Sequence, residues 1–100
     1  MKPSESMVHM KCDMAGAAIV VAVIEALTNM KAAVRVMATI PLTDNLVDSK
    51  SIKPGDIIRS YSGKTIEVID TDAEGRLILA DALSWVSRNT SSDYVIDIAT

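Results

Sequence analysis

One hundred residues, 49% of them apolar, suffice for one small domain, and its core is expected to be aliphatic because three residues are aromatic and Phe is absent. A net charge of −3 with no Lys/Arg run argues against general nucleic-acid binding. The lone cysteine, Cys12, excludes an internal disulfide and fits a reducing compartment.

The chain opens on a polar, irregular stretch from Met1 to Cys12, where Pro3 discourages an early helix. Lys2 there reads as a solvated terminal lysine, and Cys12 as a small, half-buried side chain with no partner in sight except His9. Asp13 then precedes a helix that runs to about Asn29, with Ile19, Val20, Val23, Ile24 and Leu27 as a wide apolar face. Asp13 is its N-cap or a first-turn acid. The small residues at 15 to 18 let the first turn approach another backbone closely. The apolar run Ala15 to Leu27 is too short to cross a bilayer, which takes about 20 residues, and Glu25 interrupts it. Glu5 and Asp13 before the run, with no clean small-residue cleavage site after it, argue against a signal peptide. These features read as a buried helix in a cytoplasmic protein without membrane contact.

Val34 to Ile40 is a β-branched run that predicts a strand ended by Pro41. A polar loop follows, then the turn signal Pro54-Gly55-Asp56. Ile57 to Tyr61 and Lys64 to Ile69 form an expected hairpin across Ser62-Gly63. Leu77 to Arg88, with apolar residues at 79, 82, 83 and 86, predicts a second helix, stopped by the cluster Asn89 to Ser92. Tyr94 to Ala99 is a last expected strand. The order helix, strand, hairpin, helix, strand points to a layered α/β sandwich with a mixed sheet. Val34 to Ile40 and Tyr94 to Ala99 are apolar on both faces, as strands covered by helices on both sides are. No internal repeat or low-complexity segment interrupts the pattern.

Between the hairpin and the second helix lies Thr71-Asp72-Ala73-Glu74-Gly75-Arg76. Its acids sit where a strand ends and a helix begins, the edge at which α/β folds usually bind ligands. Two readings stand side by side. Asp72 and Glu74 are first-turn acids favoured by the helix dipole, or their oxygens converge on one or two hard divalent cations.

Asp70 to Leu77 resembles the Asn-Thr-Asp-Ala-Glu-Gly-Arg-Leu signature of the leucine (cytosol) aminopeptidase family, with Asp70 standing where the family usually has Asn. Met10 to Ala18 is similar to the family's Met-Lys-Tyr-Asp-Met-Gly-Gly-Ala-Ala segment. Pro41, Asn45, Pro54-Gly55-Asp56 and Ser62 to Val68 match its intervening loop, turn and strand. Ile96 to Thr100 looks like the start of its next motif. The resemblance covers essentially the whole chain and implies an α/β/α sandwich with a mixed central sheet, incomplete in this chain. Residues 1–100 would then be an internal piece, roughly a third, of a C-terminal catalytic domain.

The resemblance implies a metalloaminopeptidase that releases N-terminal, leucine-like residues from peptides. Asp13 would bind one metal only, Asp72 the other, and Glu74 would bridge the two. Arg76 would hold a bicarbonate-like anion or steady the tetrahedral intermediate. Lys2, in a matching Lys-Pro-Ser context eleven residues before Asp13, would polarise the substrate carbonyl. Met10 and Thr100 match positions lining the pocket for the first side chain. The implied cofactors are two divalent ions, manganese or zinc with magnesium or cobalt as substitutes, and the implied assembly is a homohexamer. The family's metal-binding lysine and second bridging aspartate have no counterpart in this sequence. That leaves a second class open, a non-catalytic structural or partner-binding piece. A phosphate-binding module is set aside because Gly55, Gly63 and Gly75 are scattered singly.

Overall fold

The computed structural model describes residues 8–46 and 48–100. They divide into two compact units, one of residues 41–92 and one of residues 8–40 with 93–100. Among the described residues the regular elements are two α-helices and one two-stranded antiparallel sheet, a small α/β arrangement. No helix among them is long and apolar enough to cross a membrane.

In the unit of residues 41–92, strands β1 (Ile57–Arg59) and β2 (Thr65–Glu67) pair antiparallel with Ile58 opposite Ile66. The expected hairpin is therefore present, with shorter strands than the apolar runs suggested. Its loop is a tight turn closed by Gly63 N–H to Ser60 O at 2.9 Å. Gly63 has φ +89°, the left-handed value that lets a three-residue loop match the strand twist. A second turn leads in. Asp56 N–H donates to Lys53 O at 3.0 Å, with Pro54 and then Gly55 (φ +91°) at the centre. Pro followed by a positive-φ Gly is the pattern of a type II turn. Val68 joins turn to hairpin: its N–H donates to Asp56 O at 2.8 Å and its carbonyl accepts from Gly55 N–H at 2.7 Å. Val68 is also the one buried hydrophobic side chain among the described residues, at 3% exposure.

Helix α2 follows, after a 3-10 turn at Thr71–Ala73, and spans Glu74–Asn89. It starts three residues earlier than the apolar spacing predicts, because Glu74, Gly75 and Arg76 form its polar first turn. Its middle and its C-terminal end hold the hairpin loop. Asp81 Oδ1 accepts Tyr61 N–H at 2.7 Å, and Asn89 Nδ2 donates to Tyr61 Oη at 3.2 Å.

In the other unit, helix α1 spans Ala15–Asn29, as the periodicity predicts. Met14, not Asp13, is its N-cap, and a 3-10 turn at Met10–Cys12 precedes it in what reads as an irregular segment. The helix ends in a Schellman arrangement. Ala32 N–H donates to Leu27 O at 3.1 Å and Lys31 N–H to Thr28 O at 3.0 Å. Lys31 takes the left-handed position (φ 50°) that Gly usually fills. The first turn of α1 approaches residues 98–99 backbone to backbone. A Cβ built on Gly16 would overlap Ile98 O and stand 3.2 Å from Ile98 C.

Two expected strands are not strands here. Residues 34–40 and 94–99 join no hydrogen-bonded ladder among the described residues. Their apolar side chains are exposed, Ile96 at 84% and Val34 at 57%. The physical reason is that a β-strand is defined by its neighbours, and pattern alone does not supply a partner edge. For the same reason α1 is not the buried helix expected, since Ile19, Val21 and Val23 stay exposed. Cys12 is exposed as well, rather than half-buried.

Candidate functional site

The acidic stretch forms a capped corner. Asp70, in extended conformation, caps the Thr71–Ala73 turn, and its Oδ1 accepts Asp72 N–H at 2.9 Å. An Asn side chain could make the same bond through its own Oδ1, so Asp at this position keeps the cap and adds a charge. The corner then runs directly into α2, which places Glu74 and Arg76 in the first helical turn. Glu74 is therefore also a first-turn acid, where the helix dipole favours a carboxylate.

The two carboxylates that the sequence singles out are brought together by a third residue. Asn45 Nδ2 donates to Glu74 Oε2 at 2.7 Å and lies 3.5 Å from Asp72 Oδ1. The same nitrogen stands 3.4 Å from Thr71 O. Glu74 and Asn45 are half-buried, whereas Asp72 and Arg76 are exposed. One atom thus marks a point that oxygens from both acids reach. A partial positive charge occupies that point here, and hard divalent cations favour such carboxylate sets. The donor chemistry fits a divalent cation. Two carboxylates alone do not complete a coordination shell, and no group of three or more His, Cys, Asp or Glu that could hold a metal forms among the described residues.

The other candidate residues belong to the second unit or fall outside the described residues. Asp13 is exposed and follows the Met10–Cys12 turn, in which Met10 is half-buried. Thr100 is exposed and belongs to the same unit as Asp13 and Met10. Lys2 lies outside the described residues. The residue whose contacts sequence reasoning missed is Asn45. It is 29 positions from Glu74, and no local pattern announces a contact at that separation.

The comparisons give the chain its relatives. The model of the cytosol aminopeptidase family, catalytic domain, matches residues 1–100. A probable cytosol aminopeptidase of Chlorobium luteolum is 54% identical over 99 residues, 99% of this chain and 20% of that protein. One from Chlorobium phaeobacteroides is 53% identical over 100 residues, and one from Hydrogenovibrio crunogenus is 49% identical over 100, each match covering 100% of this chain and 20% of the relative. The chain thus spans about a fifth of the length of these relatives. No solved structure matches it. With a family model matched from end to end and relatives about half identical throughout, the chain belongs to the cytosol aminopeptidase family.

Proposed function

We propose that this chain carries part of the catalytic centre of a metal-dependent aminopeptidase acting on peptides with leucine-like N-terminal residues. The observation that carries the reading is the convergence of Asp72 and Glu74 on one point beside the first turn of α2, within a chain matched throughout by an aminopeptidase family. Glu74 and Asp72 would hold divalent metal, manganese or zinc with magnesium or cobalt as substitutes, and Glu74 would serve both ions of a pair. The chemistry such ions supply when bound is activation of a water and polarisation of the scissile carbonyl.

The chain's own residues do the rest. Arg76, on the exposed first turn of α2, presents a guanidinium for a bicarbonate-like anion or for the oxyanion that develops on the substrate. By the family likeness, Asp13 would bind one metal only, Lys2 would act on the substrate carbonyl, and Met10 and Thr100 would line the pocket for the first side chain. The likeness also supports a cytoplasmic homohexamer built on an α/β/α sandwich with a mixed central sheet, to which residues 34–40 and 94–99 would each add a strand once neighbours pair with them.

A second reading applies to the 100-residue chain alone. Among the described residues two acids are gathered where a metal pair needs more, and apolar segments are uncovered. By itself the chain would be a non-catalytic, partner-binding piece. The test is a leucine chromogenic amide assayed with this chain and with a version extended to the length of its relatives, each with added manganese or zinc. We expect metal-dependent hydrolysis from the extended version and negligible activity from the chain. Robust hydrolysis by the chain that survives Glu74→Ala would overturn the reading.

A further inference from the structure

Asn45 sits in a loop that the chain takes care to fix. Ser51 Oγ accepts Asp48 N–H at 2.6 Å and donates to Leu46 O at 2.7 Å. The Asp48 carboxylate accepts Lys50 N–H. These bonds link Leu46, Asp48, Lys50 and Ser51 just after Asn45, whose own side chain meets the acidic corner. A carboxamide nitrogen carries two N–H bonds. One goes to Glu74 Oε2 at 2.7 Å, and the other is shared between Thr71 O and Asp72 Oδ1 at 3.4 and 3.5 Å.

We propose that Asn45 is a positioning residue, whose carboxamide fixes Glu74 against the Thr71–Ala73 turn so that Asp72 and Glu74 present their oxygens to one divalent cation. The proposal rests on the reading of Asp72 and Glu74 as metal ligands. Two carboxylates this close repel each other, and a Glu side chain has rotamer freedom to lose. A donor between them offsets both effects before any cation arrives. A neutral amide suits this role better than Lys, because an ammonium would cancel the charge that attracts the metal. The bond uses Oε2 of Glu74 and leaves Oε1 as the oxygen to face the ion. Outer contacts of this kind tune metal affinity by about 10–100-fold in known metal sites.

The test uses Mn2+ binding followed by the EPR signal of the free ion, with Co2+ absorption as a report on coordination geometry. A version extended to the length of the relatives is compared with its Asn45→Ala, Asn45→Leu and Glu74→Ala variants, and circular dichroism monitors helix content. Asn45→Leu keeps the bulk and removes the donor, so it decides the matter if Asn45→Ala lowers helix content. The expected result is a dissociation constant raised about 10–100-fold in the Asn45 variant, a changed Co2+ spectrum and unchanged helix content. Unchanged affinity in that variant, with binding lost in Glu74→Ala, would overturn the role of Asn45 and leave the metal reading standing. An extended version that takes up no Mn2+ at all would overturn the metal reading, and this proposal with it.

Discussion

The guanidinium of Arg88 lies 5.6 Å from the ring centroid of Tyr61 and donates to the Tyr61 carbonyl at 3.2 Å. It also donates to Ser62 O at 2.8 Å. The last turn of α2 thus grips the loop of the hairpin, and the hairpin leads through Val68 into the acidic corner.

Replacing that grip should loosen the loop while leaving the helix intact. Arg88→Ala is expected to cost about 0.5–1 kcal/mol, the size of an exposed cation–π contact, with little further loss from the solvent-facing hydrogen bonds. Arg88→Lys should not restore it, because an ammonium lacks the planar fork that reaches two carbonyls. Faster amide exchange at residues 60–64, with α2 amides unchanged, is the expected signature.

Two glycines should respond in opposite directions. At Gly16 an added methyl meets the backbone of Ile98 and Ala99, which cannot turn aside as a side chain can. Gly16→Ala is expected to destabilise that unit by about 1–3 kcal/mol, as overpacking does. At Gly75 nothing stands within 4 Å of the new carbon. Gly75→Ala should therefore gain about 0.5–1 kcal/mol of helix stability. Hydrogen exchange read separately over α1 and α2 distinguishes the two, and equal effects at both positions would contradict the close approach at Gly16.

In a version extended to the length of the relatives, Glu74→Ala should cost more activity than Arg76→Ala. Glu74 would hold metal, so its loss should lower the bound metal content. Arg76 would act on developing charge, worth about 3 kcal/mol in comparable oxyanion sites, with metal content kept. Elemental analysis alongside kcat decides the ranking, which fails if both variants retain the full metal content.

The 100-residue chain should not behave as a well-packed monomer. Tyr94, Ile96 and Ile69 are exposed at 88%, 84% and 81%, values more typical of an unfolded segment than of a core. Exposed apolar runs with unpaired backbone favour association with another chain, and a protein this small has only a few kcal/mol of stability to lose. Light scattering after size exclusion should give a mass above 10.7 kDa, with a broad thermal transition. A cooperative melt at monomer mass would show that the chain is a self-sufficient domain.

Much of this molecule is written locally, and that part was legible. Helix α1 follows from the 3.6-residue spacing of Ile19, Val20, Val23, Ile24 and Leu27, and the hairpin from two β-branched runs flanking Ser62-Gly63. The family likeness follows from Asp70 to Leu77, eight consecutive residues whose order carries the information. Each of these signals spans only a few positions, so composition and spacing suffice to read it.

The tertiary structure decided what depends on partners far apart in sequence. Residues 34–40 and 94–99 have the composition of strands, yet a ladder takes a neighbouring edge, and none pairs with them among the described residues. The start of α2 at Glu74 was hidden because its first turn is polar and carries no apolar period. Asn45 was legible as a loop residue that matches the family's intervening loop, without its contacts. That its amide joins Asp72 to Glu74 depends on the fold of residues 41–92, which brings a side chain within 2.7 Å of a carboxylate 29 residues away. The sequence by itself determined which acids are available, and the folding of the chain decided that two of them meet at one point.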